Sequence, residues 1–257
     1  MSDVDFIVLD VDGGAMLRAC IDSIKRQKPN RIIVFDNGSR DPVTLDDAEV
    51  IRSETNLGFA GGVNAAFERV TAPLVALVNN DVVLDDDWLP TVRGAMTDDK
   101  LAGVQTILRR NAKSLDGAGI DISDGTYRQT LDPTKAWGIS ATAALYRVAA
   151  LGDRVFDERF FAYYEDVELC ARLHETGWRT AVLPVVKATH RGSQSAPLLG
   201  RDAVRLRTRN RYWVARMHRG VGRIHSLLWE DAKLLPRGRS SLRGIIQGLF
   251  ETMNAER

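Results

Sequence analysis

The chain opens on an unbroken apolar run, Phe6-Ile7-Val8-Leu9. A run this short, with no polar alternation, is the pattern of a strand buried on both faces. It returns at Ile32-Ile33-Val34-Phe35, more briefly at Val50-Ile51, and at Leu74-Val75-Ala76-Leu77-Val78. Between these runs the periodicity becomes helical. Leu17, Cys20, Ile21 and Ile24 share one face, and a second helix runs through Asn64 and Phe67. Pro29-Asn30 and Thr71-Ala72-Pro73 end the two helices. This alternation predicts an α/β fold, a Rossmann-like, mostly parallel sheet flanked by helices.

Downstream, a helix is expected from Trp88 to about Met96 and a strand over 103–108. The stretch 116–133 is rich in Gly and Asp and reads as a small hairpin excursion. A further helix starts near Glu165-Asp166, buries Val167, Cys170, Ala171 and Leu173, and is capped by Gly177. A late strand over 179–186 contains Pro184 and is expected at an edge. Past Pro197 the pattern is helical and basic, with a break at Pro236. The chain therefore divides into a sheet domain, 1–196, and a helical basic C-terminal extension, 197–257.

With 257 residues, 44% of them hydrophobic, there is material for one large core. A net charge of +1 gives no global field toward a polyanion. The charge is uneven, however: eight arginines stand between Arg201 and Arg223 against Asp202 alone. They form either a solvated helical face packed by Trp213, Val214 and Met217, or a basic amphipathic segment that touches anionic lipid. No aromatic–basic module for reading bases accompanies them, so a nucleic-acid partner is not expected. Cys20 and Cys170 lie in apolar helical patterns, as buried thiols of a reducing compartment do. No apolar run approaches membrane-spanning length and the N-terminus lacks a signal-peptide layout. The expected location is cytoplasmic, with peripheral contact at the inner face of the membrane as the sharper version.

Candidate chemistry gathers at the ends of the predicted strands. The run 74–78 stops at Asn79-Asn80-Asp81. In open α/β sheets ligands bind beyond the carboxyl ends of strands. A carboxylate there can hold a hard divalent cation, although Asn and Asp also end strands for local reasons. The second strand ends in Asp36-Asn37-Gly38-Ser39. Asn56-Leu57-Gly58-Phe59-Ala60-Gly61-Gly62-Val63-Asn64 is rich in glycine where backbone passes a ligand or packs tightly. Glu165-Asp166 opens a helix, where an acid is either a cap or a catalytic group. His190 follows the late strand.

In this order the motifs resemble those of the inverting family-2 glycosyltransferases, which have the GT-A nucleotide-sugar-binding fold, and most of all the bacterial rhamnosyltransferase-like members. The resemblance spans about residues 6–195. It implies that Asp36 accepts the imide N–H of uracil or thymine, with Asn37 and Ser39 beside it. Asn56, Gly61, Gly62 and Asn64 would line the sugar nucleotide. Asn79-Asn80-Asp81 stands in place of an Asp-x-Asp motif, its first carboxylate replaced by an amide. Asp81 would then ligate Mn2+ or Mg2+ and His190 would complete the metal site. Arg191, Ser193 and Gln194 would reach the diphosphate, and Asp166 would be the general base, with Glu165 in reserve. The implied activity is metal-dependent, inverting transfer of a sugar from a UDP- or dTDP-linked donor to a hydroxyl. The acceptor would be a glycan, a lipid-linked compound or a small molecule, in cell-envelope glycan or glycosylated natural-product synthesis. Two departures, Asn79 and the acidic first turn Asp10-Val11-Asp12-Gly13, keep open a nucleotide-sugar-binding scaffold without transfer activity. A sugar nucleotidyltransferase would carry a basic loop after the first strand, and 10–14 has no basic residue.

Overall fold

The computed structural model describes residues 2–192 and 195–252, with the backbone alone over 195–201. In chain order the elements are β1 (Val4–Asp10), α1 (Gly14–Arg26), β2 (Arg31–Asn37), β3 (Glu49–Ser53), α2 (Gly58–Phe67), β4 (Leu74–Val78) and β5 (Val82–Leu84). Then come α3 (Trp88–Ala95), β6 (Leu101–Asn111), β7 (Ser114–Gly117), β8 (Ile120–Asp121), β9 (Arg128–Gln129) and β10 (Ala143–Arg147). The rest is α4 (Val148–Leu151), α5 (Glu165–Glu175), β11 (Arg179–His190), α6 (Ser195–Met217), α7 (Ile224–Leu234) and α8 (Leu242–Phe250).

Strands β3-β2-β1-β4 pair in parallel. The sheet continues β10-β6-β11-β5, where β10 runs antiparallel to both neighbours and β11 is parallel to β6. The predicted hairpin excursion is the two-stranded β8–β9 sheet. Side chains alternate across the strands, so both faces are covered. Phe6 and Val8 point into a core with Leu17, Cys20, Ile24 and Trp88, while Ile7 joins Val63, Leu77, Tyr146 and Leu169 on the opposite face. This double burial is why these strands lack polar alternation.

Pro184 lies at a break in register, where β11 pairs with β6 on one side and β5 joins only at 188–190. The proline thus occupies an unpaired strand edge, as its missing N–H requires. A third core cluster joins α6 to α5: Tyr212, Trp213 and Val214 pack with Phe160, Val167 and Ala171. The arginine run of α6 is therefore only partly solvated. Arg207 and Arg216 are exposed, whereas Arg209 and Arg211 are buried. Arg209 lies over the Trp213 ring, and Arg211 pairs with Glu230 and Asp231.

Candidate active site

β1, β2 and β4 run in parallel, so their carboxyl ends open onto the same side of the sheet. A cleft of about 580 Å³ lies there. On one wall β4 ends in Asn79, Asn80 and Asp81, all three facing the cleft. The turn is closed by Val82 N donating to Asn79 O (3.0 Å), and Asn80 donates to Asp10 Oδ1 (2.6 Å). The acidic first turn is thus tied to the Asn-Asn-Asp turn. Burial holds the Asp10 carboxyl above its usual range.

Strand pairing brings the distant partners in. His190 stands opposite Val82 across the β11–β5 ladder, next to Asp81. Its Nε2 is 3.3 Å from Asp81 Oδ2, in ion-pair range but without hydrogen-bond geometry. β7 folds back on β6, the neighbour of β11, and sets Asp116 against the other imidazole nitrogen: Nδ1 to Asp116 Oδ2 is 2.5 Å. Arg110 donates to Asp116 Oδ1 (3.0 Å from Nε). Burial presses the His190 pKa down, but the two carboxylates outweigh it and the net shift is upward.

The opposite wall is the start of α5. Phe161, Tyr163 and Tyr164 adopt positive φ (63°, 72° and 69°), a conformation L-residues avoid unless held. Both sides hold them. Ala60 N donates to Phe161 O, and a Cβ at Gly58, itself at φ +75°, would stand 2.5 Å from that carbonyl. From α6, the Asn210 amide donates to the carbonyls of Phe160, Ala162 and Tyr163 at 2.9, 2.9 and 2.7 Å. The contorted turn delivers Glu165 and Asp166 to the cleft at a helix N-terminus. Asp166 Oδ1 accepts from Val167 N (2.9 Å), and Glu165 Oε2 is buried without a partner among the described residues. Burial, then mutual repulsion, pushes the Glu165 carboxyl up to about 8. Burial raises Asp166 to about 6, against donors at Val167, Ser140 and Ala141.

Other expected site residues lie elsewhere. Successive strand residues face opposite ways, and Asn37, not Asp36, lines the cleft. Asp36 is fully buried and accepts from Ser39 N (2.9 Å), Val43 N (3.1 Å) and Arg52 Nη1 (2.5 Å). Burial pushes its carboxyl up, but these donors outweigh it and the net shift is down. Ser39 is buried too, its hydroxyl accepting from Asp12 N. Asn56 lines the cleft and accepts from Asn37. Gly61, Gly62 and Asn64 do not line it. A Cβ at Gly62 would strike Leu9, and Asn64 bridges the backbone of Val155 and Phe156 and donates to the Glu158 carboxylate, so this part of the glycine-rich segment serves packing. Arg191 is exposed and off the cleft wall, its N–H donating to Asp81 O. Ser193 and Gln194 lie outside the described residues.

Sequence reasoning missed Asp116, Arg110, Tyr127, Arg128 and Arg207, which also line the cleft. Arg207 was visible only as one of an arginine run; its position over the Tyr163 ring, 4.2 Å from the centroid, singles it out. No local pattern marks Asp116, which arrives through two strand pairings.

Known proteins resemble this chain in sequence and in fold. A pre-mycofactocin glycosyltransferase of Mycobacterium tuberculosis is 26% identical over 207 residues, 73% of this chain and 42% of its own length. An N-acetylglucosaminyl-diphospho-decaprenol L-rhamnosyltransferase of the same organism is 38% identical over 81 residues, 30% of this chain and 25% of its own. The chain thus spans less than half the length of the curated relatives it matches. Among solved structures, the mannosyltransferase PcManGT from Pyrobaculum calidifontis, in complex with GDP-Man and Mn2+, matches with a TM-score of 0.64 and 15% identity over 92% of this chain and 72% of its own. S. aureus TarS 1–349 in complex with UDP-GlcNAc gives 0.65 and 16% over 96% and 78%. At such identities the likeness is one of fold, and that fold is GT-A. The family model for glycosyl transferase family 2 matches residues 11–154, more than half of the chain, and to that family of glycosyltransferases the protein belongs.

Proposed function

We propose that the protein transfers a sugar from a UDP- or dTDP-linked donor to an acceptor hydroxyl in one inverting displacement. The observation that carries this reading is the meeting, in one cleft, of Glu165-Asp166 with Asn79, Asn80 and Asp81 across from them. Asp166 takes the acceptor proton as its oxygen attacks. Inversion in one step needs a single base on the acceptor side, and Asp166, whose carboxylate is oriented by Val167 N, is assigned that role. Burial raises both carboxyls and mutual repulsion adds to it at Glu165, so the pair favours a single negative charge. The nucleotide is assigned to the wall of Asn37 and Asn56, which Asp36 braces from behind through Ser39, Val43 and Arg52.

A divalent cation, Mn2+ or Mg2+, fits the Asp81–His190 pair. Two adjacent ligands of a six-coordinate ion stand about 3 Å apart, close to the 3.3 Å separation here. His190 Nε2 is a buried nitrogen without a hydrogen-bond partner among the described residues, turned toward a carboxylate. Among the described residues no three His, Cys, Asp or Glu form a complete cage, so the donor diphosphate and water would supply the remaining ligands. Bound there, the ion offsets charge on the leaving diphosphate.

The proposed acceptor is a glycan, a lipid-linked compound or a small molecule, met in the cytoplasm. Calorimetric titration with UDP, dTDP and GDP, with and without Mn2+, tests the donor site. Metal-dependent binding of UDP or dTDP is expected, and binding of none of them would favour a scaffold. Asp166→Asn is expected to lower transfer or slow donor hydrolysis by about 10²–10⁴-fold with donor affinity unchanged. Equal loss of binding and turnover would remove Asp166 from the base role.

A further inference from the structure

Helix α8 has two unlike faces. The inner one is built for close approach: a Cβ at Gly244 would stand 2.7 Å from the Arg205 carbonyl oxygen of α6, and one at Gly248 2.8 Å from that of Arg209. Ile245 fills the space between them. On the outer face Leu242, Ile246 and Phe250 recur at every fourth position and are 62%, 48% and 79% exposed. Single exposed apolar residues are ordinary, but an aligned stripe of large ones on a water-facing helix surface marks a contact. On α7, Trp229 is 68% exposed.

The charge around this stripe selects the occupant. Asp231 is buried against Arg211 and Tyr212, and the next acid is Glu251. Between them stand Lys233, Arg237, Arg239 and Arg243, with no acidic residue. All four are exposed, and none has a carboxylate partner among the described residues. Lys233 lies 4.7 Å from the Trp229 ring centroid. A second copy of the chain would bring the same unpaired cations to a two-fold contact and oppose itself. An anionic surface with an apolar interior meets both features: acyl chains take the stripe, phosphates take the cations, and Trp229 suits the headgroup level. At nine residues α8 can lie in a leaflet but not cross it, and no helix among the described residues is long and apolar enough to do so.

The geometry points to a peripheral membrane-docking surface, in which the Leu242–Ile246–Phe250 stripe of α8 enters an anionic leaflet and Lys233, Arg237, Arg239 and Arg243 hold its headgroups. This inference does not depend on the transferase mechanism. The test is flotation of the full chain with vesicles of phosphatidylcholine alone or of equimolar phosphatidylcholine and phosphatidylglycerol. Salt-sensitive binding to the anionic vesicles is expected. Arg239→Glu with Arg243→Glu should lower their partition coefficient by at least roughly 30-fold, since each basic residue near the surface contributes about a fivefold factor. The triple variant L242S/I246S/F250S, at positions that support no core, should lose binding while keeping its circular dichroism and UDP affinity. No binding to anionic vesicles, or undiminished binding by the triple variant, overturns the proposal. So does concentration-dependent dimerisation in sedimentation that the triple variant abolishes while vesicles stay unbound, which would give the stripe to a second copy.

Discussion

His190 lies between two carboxylates, and the contacts differ in kind. Asp116 holds Nδ1 in a short hydrogen bond and is itself held by Arg110, and the two carboxylates together favour the protonated imidazole. A cation at Asp81 would displace the Nε2 proton, while Asp116 would keep the ring oriented through Nδ1. Metal-binding histidines commonly use a carboxylate this way to set tautomer and orientation. Asp116→Ala is therefore expected to weaken Mn2+ binding in the presence of UDP by about 10–100-fold, read by electron paramagnetic resonance titration of free Mn2+. Wild-type protein that fails to bind Mn2+ would remove the metal reading; wild-type binding that Asp116→Ala leaves intact would remove only the role of Asp116. Glu165 allows a second prediction. Its folded pKa is raised from 4.5 to about 8, so the folded state retains a proton that the unfolded chain releases. The sign is opposite to that of a salt-bridged acid: the contribution to stability is full below about pH 4.5 and is lost as pH rises through about 8. Within that window each pH unit costs up to about 1.4 kcal/mol. Glu165→Gln should flatten this decline, so that its melting temperature gains on the wild type as pH rises. Parallel melting curves against pH would place the ionisation elsewhere.

The segment 161–164 is an element without regular structure, and its shape is the least local feature of the site. Three non-glycine residues at positive φ cost of order 1–3 kcal/mol each, and the chain sustains them through Gly58 below and Asn210 above. Asn210→Ala strips the half-buried Ala162 and Tyr163 carbonyls of their donor, while that of Phe160 keeps Ala162 N and Arg209 Nη2, and should destabilise the fold by about 2–4 kcal/mol. Asn210→Asp, which cannot donate, should fare no better. The readouts are urea denaturation and the pH dependence of turnover, because a relaxed turn also withdraws Asp166 from its buried setting. A stability change under about 0.5 kcal/mol, the level of an ordinary surface substitution, would contradict this account. Nothing in Phe160-Phe161-Ala162-Tyr163-Tyr164 announces such backbone. Sequence reasoning finds strands where both faces are buried, as at 6–9 and 74–78, because the pattern and the packing are one fact. It singles out Asp81, His190 and Asp166 as candidates because motifs end elements, and all three line the cleft. It cannot find which way a strand-end side chain turns, so it names both Asp36 and Asn37 where only Asn37 lines the cleft, nor partners such as Asp116 and Asn210 that only tertiary pairing supplies.

At the scale of the whole molecule, the division expected from composition, 1–196 and 197–257, falls just inside α6 (Ser195–Met217), and packing ties the helices on either side of it together. Tyr212 and Trp213 are buried among Phe160, Val167 and Ala171, with the Phe160 and Trp213 rings edge to face at 5.9 Å. His218 near the end of α6 pairs with Glu175, and faces Glu168, on α5. The helix that carries Asp166 thus has the sheet on one side and α6 on the other. Removing α6 would expose Phe160, Val167 and Ala171 together and release the Asn210 clamp, each large buried side chain being worth about 1.5–3 kcal/mol. Losses of that size consume most of the 5–15 kcal/mol that holds a typical domain. A chain ending at residue 196 is therefore expected to be insoluble, or to fold with its sheet but without an ordered α5. A chain ending at residue 220, which keeps α6, should retain more of its near-ultraviolet circular dichroism and its UDP affinity. If the 196-residue chain bound UDP with wild-type affinity and melted cooperatively at the same temperature, the C-terminal helices would be an independent appendage, and the positive-φ turn would have to be maintained from the Gly58 side alone.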